Sequence, residues 1–189
     1  MKTILFVTSN ENKFREVKAY LEKVGVDLQR SPLEIVEKQY PTEREVSLSK
    51  ALAAAKILNK PVLVEDTGVY FSAFKSFPGP YAKQVFENIG IEGIMKLLEG
   101  KEREAVIRTS FAYCEPGEMP ILFTGEVTGR IAEKPSEVIS FAYDTIFVPE
   151  DESRTFSEMS IEEKEKFSHR IRALQEFLNW WKDLNQRKA

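Results

Sequence analysis

Apolar and polar positions change their period along the chain, and the changes mark its elements. Thr3–Val7 is a β-rich apolar run and predicts a first strand. Thr8-Ser9-Asn10-Glu11-Asn12-Lys13 is a polar turn, and Asn10 is placed to cap a helix. Phe14, Val17, Leu21 and Val24 then recur at helical spacing, with Gly25 as the stop. A second strand is expected within Val26–Val36, broken by Pro32. Thr42-Glu43-Arg44-Glu45 is a capping box opening a helix whose apolar side is Val46, Leu48, Ala51, Leu52, Ala55 and Leu58. Val62-Leu63-Val64, bounded by Pro61 and Gly68, reads as a short buried strand ending in the adjacent acids Glu65 and Asp66. Alternating strands and helices in this order predict an α/β fold.

Beyond Gly68 the pattern loosens. Tyr70–Tyr81 is aromatic and turn-rich and reads as a packed loop. Ile91, Ile94, Leu97 and Leu98 predict a short helix over Asn88–Leu98, closed by Gly100. From Glu104 the period becomes two: Val106, Arg108, Ser110 and Ala112 alternate with Ile107, Thr109, Phe111 and Tyr113. Pro116-Gly117 turns the chain and Ile121–Val127 runs back, so a long hairpin is expected to form the body of a second lobe over about 104–148. Ser140–Asp144 is a loop leading into the apolar Ile146-Phe147-Val148. Ser160-Ile161-Glu162-Glu163 is a second capping box, opening a C-terminal helical stretch with Phe167, Ile171, Leu174, Phe177, Leu178 and Trp181 inward, and 182–189 is expected to fray. The 189 residues are read as one domain of two lobes.

Composition narrows the function classes. Hydrophobic residues make up 42% and charged residues 30%, which excludes wholesale disorder. The single Cys114 cannot form an internal disulfide, so a reduced, cytoplasmic setting is expected. No apolar run reaches membrane-spanning length, and the first strand is too short to serve as a signal peptide. A net charge of −3, with signs interspersed, argues against nucleic acid held by bulk electrostatics. An anionic substrate would instead need local cations or a metal.

The candidate chemistry is oxygen-rich. In open α/β sheets ligands sit at the carboxyl ends of strands, so Glu65 and Asp66 are expected to point into a cleft; a solvated turn is the plainer alternative. The strand–turn–helix of Thr8–Lys13 suits an anion at a helix N-terminus, or is simply a capped helix. His169 is the only histidine, which excludes a site built on two. Glu37, Glu65 and Asp66 suit Mg²⁺, with Mn²⁺ as the alternative. Lys13, Lys164 and Arg170 supply cations for phosphate oxygens. Phe141 beside Asp144 offers a stacking face and an acceptor for the edge of a base.

Thr8-Ser9-Asn10-x-x-Lys13, Glu65-Asp66-Thr67-Gly68, Phe141-x-Tyr143-Asp144 and Ser168-His169-Arg170, in this order, resemble the signature of the inosine triphosphate pyrophosphatase (Ham1-like, non-canonical purine NTP pyrophosphatase) family. The resemblance spans nearly the whole chain and takes in Pro78-Gly79-Pro80-Tyr81 and Glu158-Met159. It implies an elongated, two-lobed α/β fold around a central twisted mixed sheet flanked by helices, with the active site in the cleft between lobes, and a homodimer. It implies Mg²⁺-dependent hydrolysis of ITP, dITP and XTP to monophosphate and pyrophosphate. Under it Thr8, Ser9, Asn10 and Lys13 hold phosphates, and Glu37 and Asp66 bind metal. Asp66 also accepts the proton of the attacking water, and Thr67 contacts substrate. Phe141 stacks on the purine within the loop that includes Ala142 and Tyr143, and Asp144 contacts the base edge. Lys164 touches phosphate, and His169 and Arg170 read the 6-oxo group. Glu65 is a neighbouring metal candidate and Glu34 the substitute for Glu37.

Two departures stand out. The family's usual Gly-Phe-Gly-Tyr-Asp-Pro is Ser140-Phe141-Ala142-Tyr143-Asp144-Thr145 here, and Glu165 replaces a common Asn. A related Maf-like nucleotide pyrophosphatase, or a nucleotide-binding protein with weakened catalysis, are the alternatives.

Overall fold

The computed structural model describes residues 3–36, 38–138 and 142–187. Glu37 and Phe141 therefore lie outside the described residues. The strands are β1 (Ile4–Val7), β2 (Leu28–Ser31), β3 (Val62–Phe71), β4 (Pro78–Gly79), β5 (Glu104–Cys114), β6 (Ile121–Ile131) and β7 (Phe147–Pro149). The helices are α1 (Glu11–Lys23), α2 (Glu43–Leu58), α3 (Ala82–Leu97), α4 (Ile161–Phe167) and α5 (His169–Arg187). One sheet runs β2-β1-β3-β5-β6-β7, with β4 beside β3. β1 pairs in parallel with β2 and β3, while β4 on β3 and β7 on β6 are antiparallel, so the sheet is mixed, with helices packed on it.

The chain divides into two compact units: 1–66, 109–125 and 170–189 form the first, 67–108 and 126–169 the second. The far part of the β5–β6 hairpin thus belongs to the first unit, and the second draws on more than 104–148. Within the first unit, strand alternation sorts the core onto two faces. Ile4, Phe6, Leu63, Phe111 and Tyr113 pack with Val17 and Leu21 of α1 and with Leu174 and Phe177 of α5. Val7, Val62, Val64, Ala112 and Cys114 pack with Ala51, Ala54 and Ala55 of α2. Small residues lie against the sheet on α2, and Leu52, expected inside, is 42% exposed. The second unit has its own core of Val69, Phe71, Ile94, Leu98, Ile107, Val127, Tyr143, Ile146 and Phe147.

Several boundaries differ from expectation. β3 continues through Glu65 and Asp66 to Phe71, because Val69 and Phe71 have the second unit's core to fill. α3 starts at Ala82 and is interrupted at Gly90, whose φ of 63° takes it out of the helix. The C-terminal stretch is two helices separated at Ser168 (ψ 113°), and the second remains helical to Arg187 where fraying was expected. Both capping boxes form as read, Thr42 with Glu45 and Ser160 with Glu163.

Candidate functional site

In the first unit the site is built on β3. Glu65 lies on the face of Leu63, towards α1 and α5, and Asp66 follows it in the strand. Both acids lie within β3 and not at its end, which corrects the expectation of a strand that stops at them. Both are buried, Glu65 to 3% exposure and Asp66 to 9%.

Glu65 is held by cations from far along the chain. Lys13 Nζ stands 3.2 Å from Oε2. Arg170 Nη2 stands 3.5 Å from Oε1, while its Nη1 reaches Oε2 of Glu16 on α1 at 2.6 Å. Burial works against the Arg170 charge, but Glu65 and Glu16 outweigh it and hold its pKa above the ordinary value. Arg170, expected to read a base, carries ion pairs to Glu65 and Glu16. Lys50 of α2 approaches from the other side, its Nζ 3.5 Å from the Glu65 carbonyl.

The turn before α1 forms as read. Asn10 Oδ1 accepts from the Asn12 and Lys13 N–H groups at 3.0 and 3.1 Å, and Thr8 Oγ1 accepts from Asn10 N–H at 3.1 Å. Ser9 lies between them, and Lys13 follows one turn into the helix. Cys114 is buried in the core with its Sγ 3.4 Å from the carbonyls of Glu115 and Glu118, and burial and Glu115 push its thiol pKa up.

In the second unit Ala142–Thr145 is a single 3₁₀ turn. Ala142 sits at φ 42°, the left-handed region that a glycine would occupy without strain. Tyr143, expected at the substrate, is a core side chain: its hydroxyl donates to Ala82 O at 2.9 Å, its ring packs on Phe71 and Phe86, and burial raises its pKa. Asp144 is ion-paired with Lys164, which also lies 5.4 Å from the centroid of the Phe156 ring. The family resemblance implies separate partners for them, base edge and phosphate; here they pair with each other. Lys164 is aimed by α4, whose start is fixed by Ser160 and Glu163. Arg154 grips Glu163 with bonds of 3.3 and 2.9 Å and, with the Ser160 N–H, holds its pKa at about 2. Thr67 is half-buried on β3 and His169 opens α5.

The sequence model of the Ham1 family matches residues 4–180. This chain belongs to the Ham1 family. A protein of Methanopyrus kandleri named dITP/XTP pyrophosphatase is 46% identical over 181 residues, 95% of this chain and 96% of its own. An inosine triphosphate pyrophosphatase of Yarrowia lipolytica is 43% identical over 175 residues, 92% of each chain. Among solved structures, a HAM1 protein from Coxiella burnetii superposes with a TM-score of 0.86 at 26% identity, covering 97% of this chain and all of that one.

A Ham1 chain is expected to use Mg²⁺. Among the described residues no group of three or more His, Cys, Asp and Glu side chains is arranged to hold a metal. Glu37 is outside those residues and Glu34 is exposed. The donor set still fits in kind, because Mg²⁺ takes a carboxylate or two and completes its shell with water and substrate phosphates. Glu65 carries the ion pairs to Lys13 and Arg170, and buried Asp66 is next to it in sequence. Lys50 and Glu16 were missed by sequence reading. Lys50 falls one turn after Val46, on the side of α2 that meets the sheet, and that spacing was the available signal. No helix among the described residues is long and apolar enough to cross a membrane.

Proposed function

We propose that this chain hydrolyses the non-canonical purine triphosphates ITP, dITP and XTP to the monophosphate and pyrophosphate. The names of its relatives give the substrate class. The observation that supports the phosphate end is the buried Glu65 holding Lys13 at the foot of a capped helix, next in sequence to buried Asp66. In this reading the Thr8–Asn10 turn and the N-terminus of α1 receive the phosphates, and Lys13 neutralises their charge. Glu65 keeps Lys13 and Arg170 oriented before substrate arrives, which is worth most in a water-poor site. Asp66 takes the proton of the attacking water on its carboxylate. Mg²⁺, with Mn²⁺ as the alternative, held by Asp66 with Glu37 or Glu34, supplies Lewis-acid stabilisation of the phosphate charge.

The base end follows the family resemblance. Phe141 stacks on the purine, Asp144 meets its edge and Lys164 its phosphate, which requires their mutual pair to part. Donors at His169 and Arg170 favour a 6-oxo purine, because a donor facing adenine's amine is left unpaired. The reading carries with it a homodimer in the cytoplasm; gel filtration tests the first. The test of activity is pyrophosphate release from ITP, dITP and XTP against ATP and GTP, with and without Mg²⁺. Release from the first three that requires the metal is the expected result.

A second reading, a nucleotide-binding protein with weakened catalysis, is favoured by Ala142 at positive φ in the base loop. Tight ITP binding without turnover would support it.

A further inference from the structure

The turn between β1 and α1 is braced from behind by a side chain that the reaction does not use. Arg30 lies on β2, level with Phe6 of β1. Its Nε donates to the Thr8 carbonyl at 3.1 Å and its Nη2 to the Ser9 carbonyl at 2.9 Å. Its Nη1 is ion-paired with Glu11, the first residue of α1. Its guanidinium carbon is 5.8 Å from the centroid of the Phe14 ring on the same helix. One planar fork therefore holds the end of a strand, the turn and the start of a helix, which a lysine's single ammonium cannot do.

The brace sets which way the turn's amides face. Across a trans peptide the carbonyl and the following N–H point in opposite directions. With the Thr8 carbonyl drawn onto Arg30, the Ser9 N–H is turned to the far side. The Ser9 carbonyl is drawn the same way, and the Asn10 N–H, turned opposite, meets Thr8 Oγ1 at 3.1 Å.

We propose that Arg30 is a positioning residue that presets the Thr8–Asn10 turn for the phosphate chain of a nucleoside triphosphate. This rests on the phosphate role of that turn in the proposed function. Arg30 grips carbonyls, so it acts through the turn's backbone and not by touching the substrate.

Tripolyphosphate, a probe with no base, is titrated by calorimetry into the wild type and Arg30→Gln, and KM and kcat for ITP are measured on both. The expected result is a rise of about tenfold in the tripolyphosphate Kd and in KM, equivalent to roughly 1.4 kcal/mol, with kcat changing less. Arg30→Lys restores this in part at most. A brace of the fold alone would lower the melting temperature and leave the affinity of the folded protein unchanged. Equal tripolyphosphate affinity in wild type and Arg30→Gln therefore overturns the positioning role while leaving the phosphate role of the turn standing. If Arg30→Gln does not fold, unchanged affinity in Arg30→Lys overturns it in the same way. Absence of tripolyphosphate binding in the wild type, or unchanged binding in Lys13→Ala, overturns the phosphate role of the turn and this proposal with it.

Discussion

The two units each hold an acid–cation pair, and the pairs are built differently. In the first, Glu65 is fully covered and gathers Lys13 and Arg170 from opposite ends of the chain, with Glu16 behind. In the second, Asp144 and Lys164 are twenty residues apart, and the lysine side chain is 36% exposed. A buried carboxylate between cations is costly to disturb, since each partner left behind is an uncompensated charge. A partly buried pair, its aspartate 17% exposed, gains less than a fully covered one and exchanges partners at lower cost. The first cluster is a fixed frame. The second is suited to opening when a ligand offers something better.

The largest effect expected is at the frame. Glu65→Ala should lower stability by roughly 3 kcal/mol, as breaking buried pairs does, read from urea unfolding. A loss below about 1 kcal/mol would make Glu65 no better anchored than a surface pair.

Next is Ala142→Gly in the base loop. Relieving the positive φ should raise stability by about 1 kcal/mol, and a lower KM for ITP would show that the loop's backbone limits base binding. Smaller still is the coupling between Asp144 and Lys164. A double-mutant cycle of Asp144→Asn and Lys164→Met should give less than about 1 kcal/mol in stability. A coupling as large as that of the frame would erase the contrast between the units.

The smallest effect concerns pH. Glu163 has its pKa lowered from 4.5 to about 2, chiefly by Arg154, so its contribution is complete above about pH 4.5 and is lost as pH falls towards 2. Glu163→Gln should remove that part of the acid destabilisation. Both side chains of the pair are about two-fifths exposed, so added salt should shrink the difference.

What the sequence made legible were local signals. The capping boxes at Thr42 and Ser160, the Asn10 cap and the alternating runs on either side of Pro116-Gly117 each needed only a few neighbouring residues. The candidate residues Lys13, Asp66 and Arg170 could be named by type and by family resemblance. Direction could not be read. Glu65 and Asp66 resemble a turn because adjacent acids before Gly usually are one. They are strand residues because Lys13, fifty-two positions earlier, and Arg170, over a hundred later, neutralise one of them. Tyr143 looked like a ligand residue by its place in a motif, and its ring is needed by Phe71 and Phe86. Arg30 carries no motif, since its partners are backbone carbonyls.

The central claim is that Asp66 serves hydrolysis of a non-canonical purine triphosphate. Pyrophosphate release from ITP by the wild type and by Asp66→Asn, both shown folded by circular dichroism, tests it most directly. The predicted result is wild-type turnover of ITP that exceeds turnover of ATP, and a fall on the order of 10³-fold in the variant. Turnover in Asp66→Asn near that of the wild type would contradict it.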